Sequence, residues 1–67
     1  MAKGTVKWYN QDKGFGFIAP DDGSRDIYFH NSQLKTQGHS ISDGQRVEFE
    51  VSMGRKGPEA INIQSVS

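Results

Sequence analysis

Apolar and polar residues alternate in five short segments of this sequence, and no segment shows the 3.6-residue period of an amphipathic helix. The alternating segments are residues 5–10, 14–19, 26–30, 46–51 and 60–66. A period of two places successive side chains on opposite faces of a β-strand. The sequence therefore predicts five short strands and no long helix.

Five strands in a chain of 67 residues must cover both their edges and their apolar face. A small closed barrel, of either the oligonucleotide-binding or the SH3-like kind, does this. A chain of this length buries only about 60% of its unfolded surface, so we expect a single domain, residues 1–67, with a thin core. The polar connection 31–44 is expected to hold one helical turn near 32–34.

One face of the predicted strands carries enough apolar side chains to form a core. These residues are Val6, Ile18, Ile27, Phe29, Val47, Phe49, Val51, Ile61 and Ile63. The opposite face of two adjacent strands then carries four rings, those of Phe15, Phe17, Tyr28 and His30. Strict alternation would turn Trp8 toward the core, so its ring joins this outer group only if the first strand contains a β-bulge.

A contiguous group of exposed rings needs an explanation, whereas single exposed aromatic residues do not. Flanked by Lys7 and Lys13, these rings are suited to stacking unpaired bases while the cations follow the sugar-phosphate chain. Two other readings remain open from the residues alone. The rings could be cross-strand pairs that only stabilise the sheet, or they could form the groove of an SH3-like adaptor for a proline-rich peptide.

Net charge, cysteine content and the first residues of the chain exclude some functions but do not indicate a ligand. Eight basic and eight acidic residues give a formal net charge of zero, so charge alone does not indicate a polyanionic ligand. The sequence has no cysteine for a disulfide or a thiolate metal site. Its first residues, MAKGTVKW, contain no apolar run of the kind found in signal peptides or membrane anchors, and we expect a soluble intracellular protein.

Several other motifs are explained more simply by structural roles than by cofactor binding, metal binding or catalysis. "GFGFIA" (14–19) fits the dinucleotide-binding pattern G-x-G-x-x-A, but a turn follows it where that pattern requires a helix. His30 and His39 have no cysteine or clustered carboxylates to complete a metal site, so solvated or stacking roles are favoured. Asp21 and Asp22 are interpreted as turn residues. No serine or histidine lies in a motif for nucleophilic catalysis, and no enzymatic activity is expected.

Five segments that cover most of the chain resemble one known family. "KGFGFI" (13–18) and "DIYFH" (26–30) look like paired ribonucleoprotein motifs, and the similarity continues in "GTVKWYN" (4–10), "DGQRVEFEV" (43–51) and "GRKGPEAINI" (54–63). With these motifs the chain resembles the bacterial cold-shock domain family. The resemblance implies an all-β, five-stranded antiparallel barrel of the oligonucleotide-binding (OB) type. It also implies an RNA chaperone that binds single-stranded RNA and single-stranded DNA with little sequence preference. We further expect a cytoplasmic monomer that uses no cofactor or metal and does not bind a membrane.

The resemblance also assigns candidate binding residues by their positions in the motifs. The stacking platforms are Trp8, Phe15, Phe17, Tyr28 and His30, and the polar or backbone contacts are Lys7, Asn10, Lys13, Asp26, Lys56, Gly57 and Pro58. Two further candidates depart from the family pattern. Asn31 occupies a position that is commonly phenylalanine, and His39 stands in "GHS" where the family usually has "GFK", in a loop that is one residue shorter.

Overall fold

The computed structural model of the chain describes residues 2–35 and 41–66, and within these ranges the backbone forms five strands. They are β1 (Ala2–Asn10), β2 (Phe15–Pro20), β3 (Ile27–His30), β4 (Arg46–Gly54) and β5 (Gly57–Ser65). A 3-10 helix, Asn31–Gln33, follows β3 and lies one residue before the predicted helical turn. The five predicted strands are confirmed, although β1, β4 and β5 extend beyond the alternating segments.

The strands close into a barrel with the order β1-β2-β3-β5-β4, and β4 returns to pair with β1. All of these pairings are antiparallel except that of β3 with β5, in which Tyr28 and Glu59 are parallel partners. The expected all-β, five-stranded antiparallel barrel of OB type is confirmed, with one parallel seam between β3 and β5. An odd number of strands cannot alternate in direction around a closed ring, so one neighbouring pair must be parallel.

The core lies inside the barrel, and among the described residues ten buried apolar side chains form it. They are Val6, Ile18, Ile27, Phe29, Leu34, Ile41, Val47, Phe49, Ala60 and Ile63. Most of them lie on the predicted inner face of their strands. Leu34 and Ile41 come instead from the polar connection after β3, where the alternation gave no signal, and Leu34 forms a parallel bridge with Ile63 of β5.

Two residues predicted to be in the core are not. Val51 is 51% exposed, because β1 pairs with β4 only as far as Phe49 in the described residues and the rest of β4 projects with β5 as a hairpin. Ile61 is only half-buried. The β4–β5 register shifts here, and Asn62 adopts a positive φ of 52°, so β5 contains a bulge that turns Ala60 inward in place of Ile61.

The segment 54–58, predicted as a loop, is the end of the β4–β5 hairpin. Gly54 pairs with Gly57, which leaves only Arg55 and Lys56 in the turn. Gly57 and Pro58 therefore belong to β5. The described residues contain no helix long and apolar enough to cross a membrane.

Candidate nucleic-acid interface

A bulge in β1 brings Trp8 to the outer surface of the barrel. Val6 is paired with Ile18 and Trp8 with Phe17, so Lys7 is an extra residue without a partner in β2. The extra residue reverses the alternation, and Val6 stays buried while Trp8 is 37% exposed. The bulge that the sequence analysis required for Trp8 is thus present.

Four rings form a closed circuit of contacts on the outside of β1, β2 and β3, and we call Trp8, Phe15, Phe17 and Tyr28 the aromatic face. The Trp8 ring centroid lies 5.6 Å from that of Phe15 and 5.4 Å from that of Phe17. The Tyr28 centroid lies 5.8 Å from that of Phe15 and 6.0 Å from that of Phe17. The three rings other than Trp8 are half-buried. The rings pack against one another in edge or tilted arrangements while part of each ring stays open to solvent.

His30 extends the aromatic face at the end of β3, where it is the register partner of Phe15. The Ser32 backbone N–H donates to the His30 Nδ1 at 3.1 Å, and the Ser32 hydroxyl lies 2.9 Å from the same atom. Because Nδ1 accepts a hydrogen bond, the hydrogen of the neutral ring is on Nε2. The imidazole is held at the start of the 3-10 helix but remains exposed.

A groove of about 510 Å³ runs from the aromatic face to the β4–β5 hairpin. Phe17, Tyr28 and His30 line one side, and hairpin residues 55–59 line the other. The predicted contact residues Lys56, Gly57 and Pro58 therefore lie beside the rings. Arg55 and Glu59 also line the groove but were not among the predicted site residues, although they directly flank the predicted segment.

Two predicted polar contacts, Lys7 and Asp26, bind each other. The Lys7 ammonium donates to the Asp26 carboxylate at 2.8 Å, and both side chains are partly exposed. Lys7 can reach Asp26 because the bulge frees it from the β1–β2 ladder. An exposed pair of this kind contributes little to stability, but its carboxylate competes with a phosphate for the Lys7 ammonium.

The remaining predicted polar residues surround the β1–β2 turn. The Asn10 side-chain oxygen accepts from the Lys13 backbone N–H at 3.0 Å, which gives Asn10 a structural role in the turn and leaves the Lys13 side chain exposed. The Asn31 N–H donates to the Gly14 carbonyl at 2.8 Å, and the half-buried Asn31 amide packs over the Gly14 α-carbon. His39 lies outside the described residues.

Asp21 and Asp22 are turn residues, in agreement with the sequence analysis. Asp21 accepts two hydrogen bonds of 2.6 Å from the Arg46 guanidinium, and these bonds, with the positive charge of Arg46, lower the Asp21 pKa. Hydrogen bonds from the side chain and backbone of Ser24 lower the Asp22 pKa. The described residues contain no group of three or more histidine or acidic side chains arranged to hold a metal ion.

A closed five-stranded barrel with adjoining open rings beside the hairpin turn of Arg55 and Lys56 defines a class of protein, the small nucleic-acid-binding barrel of OB type. The family model of the "'Cold-shock' DNA-binding domain" matches residues 2–66, and the chain belongs to this family. Proteins of the family bind nucleic acid and are not enzymes. The family resemblance stated from the sequence is confirmed.

Two curated relatives agree with this assignment. The chain is 55% identical over 62 residues to Cold shock-like protein CspE of Escherichia coli, covering 91% of this chain and 90% of the relative. It is 51% identical over 65 residues to the protein of the same name from Buchnera aphidicola, covering 96% of this chain and 94% of the relative.

A solved structure supports the fold alone. The chain superimposes on "drosophila Unr CSD456" with a TM-score of 0.83 at 24% identity, covering 98% of this chain and 26% of that longer chain. Both proteins therefore share the barrel architecture.

Proposed function

We propose that this protein binds single-stranded RNA and single-stranded DNA with low sequence specificity by stacking unpaired bases on the aromatic face. The observation that carries the proposal is the circuit of four rings whose centroids lie within 6.0 Å of their neighbours on the outside of three strands. Successive bases can stack on such platforms, and stacking tolerates any base because every base has a π-face. Duplex bases are already stacked and cannot reach the rings.

In this proposal, cationic side chains at both ends of the aromatic face contact the sugar-phosphate backbone of the nucleic acid. Lys13 lies at the β1–β2 turn, and Arg55 and Lys56 lie in the turn of the β4–β5 hairpin. Each can neutralise a phosphate without a change in the barrel. Stacking supplies most of the affinity, which explains how a protein with a net charge of zero can bind a polyanion.

The cellular role that follows is that of a cytoplasmic, monomeric RNA chaperone that regulates transcription or translation. A protein that holds bases unpaired with little sequence preference competes with intramolecular base pairing. It therefore keeps transcripts from folding without needing a cofactor or an energy source.

The binding function is tested through Trp8, the only tryptophan in the chain and a member of the aromatic face. A deoxythymidine heptamer should quench its fluorescence in a saturable titration. The same heptamer annealed to its complement should give a much smaller response at equal concentration. A saturable response to a proline-rich peptide, with none to the heptamer, would contradict the proposal and favour an adaptor.

The chaperone function needs a separate measurement. An RNA hairpin with a fluorophore and a quencher at its ends should open at lower temperature as protein is added. The Phe17→Ala variant should lose most of this effect at the same protein concentration. A protein that binds the single strand but leaves the hairpin melting temperature unchanged would limit the function to binding.

A further inference from the structure

The groove beside the aromatic face contains an acidic side chain where a polyanion is expected to bind. Among the described residues that line it, Glu59 is the only acidic one. It is the parallel register partner of Tyr28 on β3 and the antiparallel partner of Ser52 on β4. Glu59 therefore lies at the seam that closes the barrel, beside one of the four rings.

The hairpin provides space for the Glu59 side chain. Its carboxylate lies over Gly54, where a β-carbon on that residue would overlap the carboxylate group. Glu59 is half-buried in this position, and within the described residues neither carboxylate oxygen takes part in a hydrogen bond or ion pair. The acceptor sites of the carboxylate thus remain open to a ligand in the groove.

A carboxylate distinguishes bases by their hydrogen-bonding edges. When ionised it only accepts hydrogen bonds. Cytosine and adenine present an amino group at C4 or C6, whereas thymine and uracil present a carbonyl oxygen at the equivalent position. The amino group of cytosine, adenine or guanine can donate to Glu59. Thymine and uracil can offer only their N3–H, which lies between two carbonyl oxygens that the carboxylate repels.

We infer that Glu59 selects bases with an amino group over thymine and uracil at the subsite next to Tyr28. The inference rests on the proposed function, since it assumes that a base enters this groove. One selective subsite among several stacking platforms is compatible with low overall sequence preference. It also gives the carboxylate a role that compensates for its repulsion of phosphate.

The test compares a deoxycytidine heptamer with a deoxythymidine heptamer by Trp8 fluorescence at one salt concentration and pH 7.5. Differences in intrinsic stacking cancel when the ratio of the two Kd values is compared between the parent and Glu59→Gln. Loss of one charge-assisted hydrogen bond should shift this ratio toward thymine by about five- to tenfold. Glu50→Gln is the matched control, because it makes the same charge change on β4 outside the groove.

A second variant tests the position of the carboxylate while its charge is kept. Gly54→Ala should displace the flexible end of Glu59 and shift the ratio in the same direction without unfolding the barrel. If Glu59→Gln and Glu50→Gln strengthen binding of both heptamers equally, Glu59 acts only through its charge and the inference is wrong. If the parent binds neither heptamer, the proposed function fails, and the inference fails with it.

Discussion

At the scale of single residues, two phenylalanines on the adjacent strands β2 and β3 have opposite expected roles. Phe17 is half-buried on the aromatic face, whereas Phe29 is fully buried and stacks on the Tyr9 ring at a centroid distance of 5.7 Å. The difference follows from the alternation of β2 and β3 around one closed core. Binding and stability are therefore separable by substitution.

We expect Phe17→Ala to weaken oligonucleotide binding by about 1–3 kcal/mol, the usual loss for one stacked base. We expect Phe29→Ala to lower the free energy of unfolding by about 3–5 kcal/mol, because it leaves a cavity in the core. That loss is comparable to the total stability of a domain this small. Titration and urea denaturation measure the two effects, and an unfolded Phe17→Ala protein beside a stable Phe29→Ala protein would reverse the assignment.

Asn31 offers a second test at this scale because it lies next to His30 at the edge of the aromatic face. Asn31→Phe should add a stacking platform and tighten binding by about 1 kcal/mol. The gain should appear only with oligonucleotides long enough to reach this edge, so a length series measures it. Asn31→Leu is the control, since it adds apolar bulk without a π-face. Equal affinity of the parent and a folded Asn31→Phe protein for long strands would place residue 31 off the binding track.

At the scale of secondary-structure elements, irregularities of the strands position the site. The β1 bulge turns Trp8 outward, and the β5 bulge at Asn62 turns Ala60 into the core. The aromatic face also requires β1 and β2 to approach closely. A β-carbon on Gly16 would overlap the Trp8 carbonyl oxygen, so the glycine allows the strand that carries Phe15 and Phe17 to lie against β1.

The ion pair between Asp21 and Arg46 joins the end of the β2 region to β4 and should make stability depend on pH. Because Arg46 lowers the Asp21 pKa in the folded state, the stabilisation is present above the unfolded pKa of about 3.9 and is lost as the pH falls through the folded value. Asp21→Asn should therefore lower Tm slightly at pH 7 and have a smaller effect at pH 2. The effect is small because the pair is exposed.

Thermal unfolding of both proteins across this pH range provides the measurement. Asp12→Asn is the control, since it removes the same charge at an exposed turn position. A Tm difference between the parent and Asp21→Asn that is as large at pH 2 as at pH 7 would show that the ion pair is not its cause.

At the scale of the whole molecule, zero net charge and an ion-paired Lys7 limit the electrostatic part of binding. Three other cations, Lys13, Arg55 and Lys56, lie at the ends of the proposed track. The protein should thus depend on salt far less than a strongly basic nucleic-acid-binding domain does. Its affinity should be carried mainly by the aromatic face.

The logarithm of the association constant should fall with the logarithm of salt concentration with a slope of about −2, from about 0.7 per phosphate contact. Lys56→Gln should reduce the slope by about 0.7, and Lys7→Gln should reduce it less because Asp26 already pairs with that ammonium. Titrations at several salt concentrations measure this. A slope steeper than about −5 would mean that electrostatics, not stacking, dominates.

Local pattern was sufficient to predict the strands, the closed barrel and most of the core. Alternation is a property of neighbouring residues, so Phe29 and Phe49 could be assigned to the core, and Phe15 and Phe17 to the outer face, before any tertiary contact was known. The need for a bulge at Trp8 followed from the same alternation. Alternation also indicated the outer rings as stacking platforms, and the family resemblance added the other binding residues. All of them stay predictions until binding is measured.

Contacts between distant segments decided what the pattern could not. Val51 continues the alternation of β4 but is exposed, because β4 extends beyond the last residue that pairs with β1 in the described part of the chain. Ile61 is displaced from the core by a bulge that only the β4–β5 register reveals. Lys7 and Asp26 are 19 residues apart, and Glu59 meets Tyr28 only where the barrel closes. Alternation sets the face of a side chain within its own strand, whereas strand length, register and closure depend on partners elsewhere in the chain.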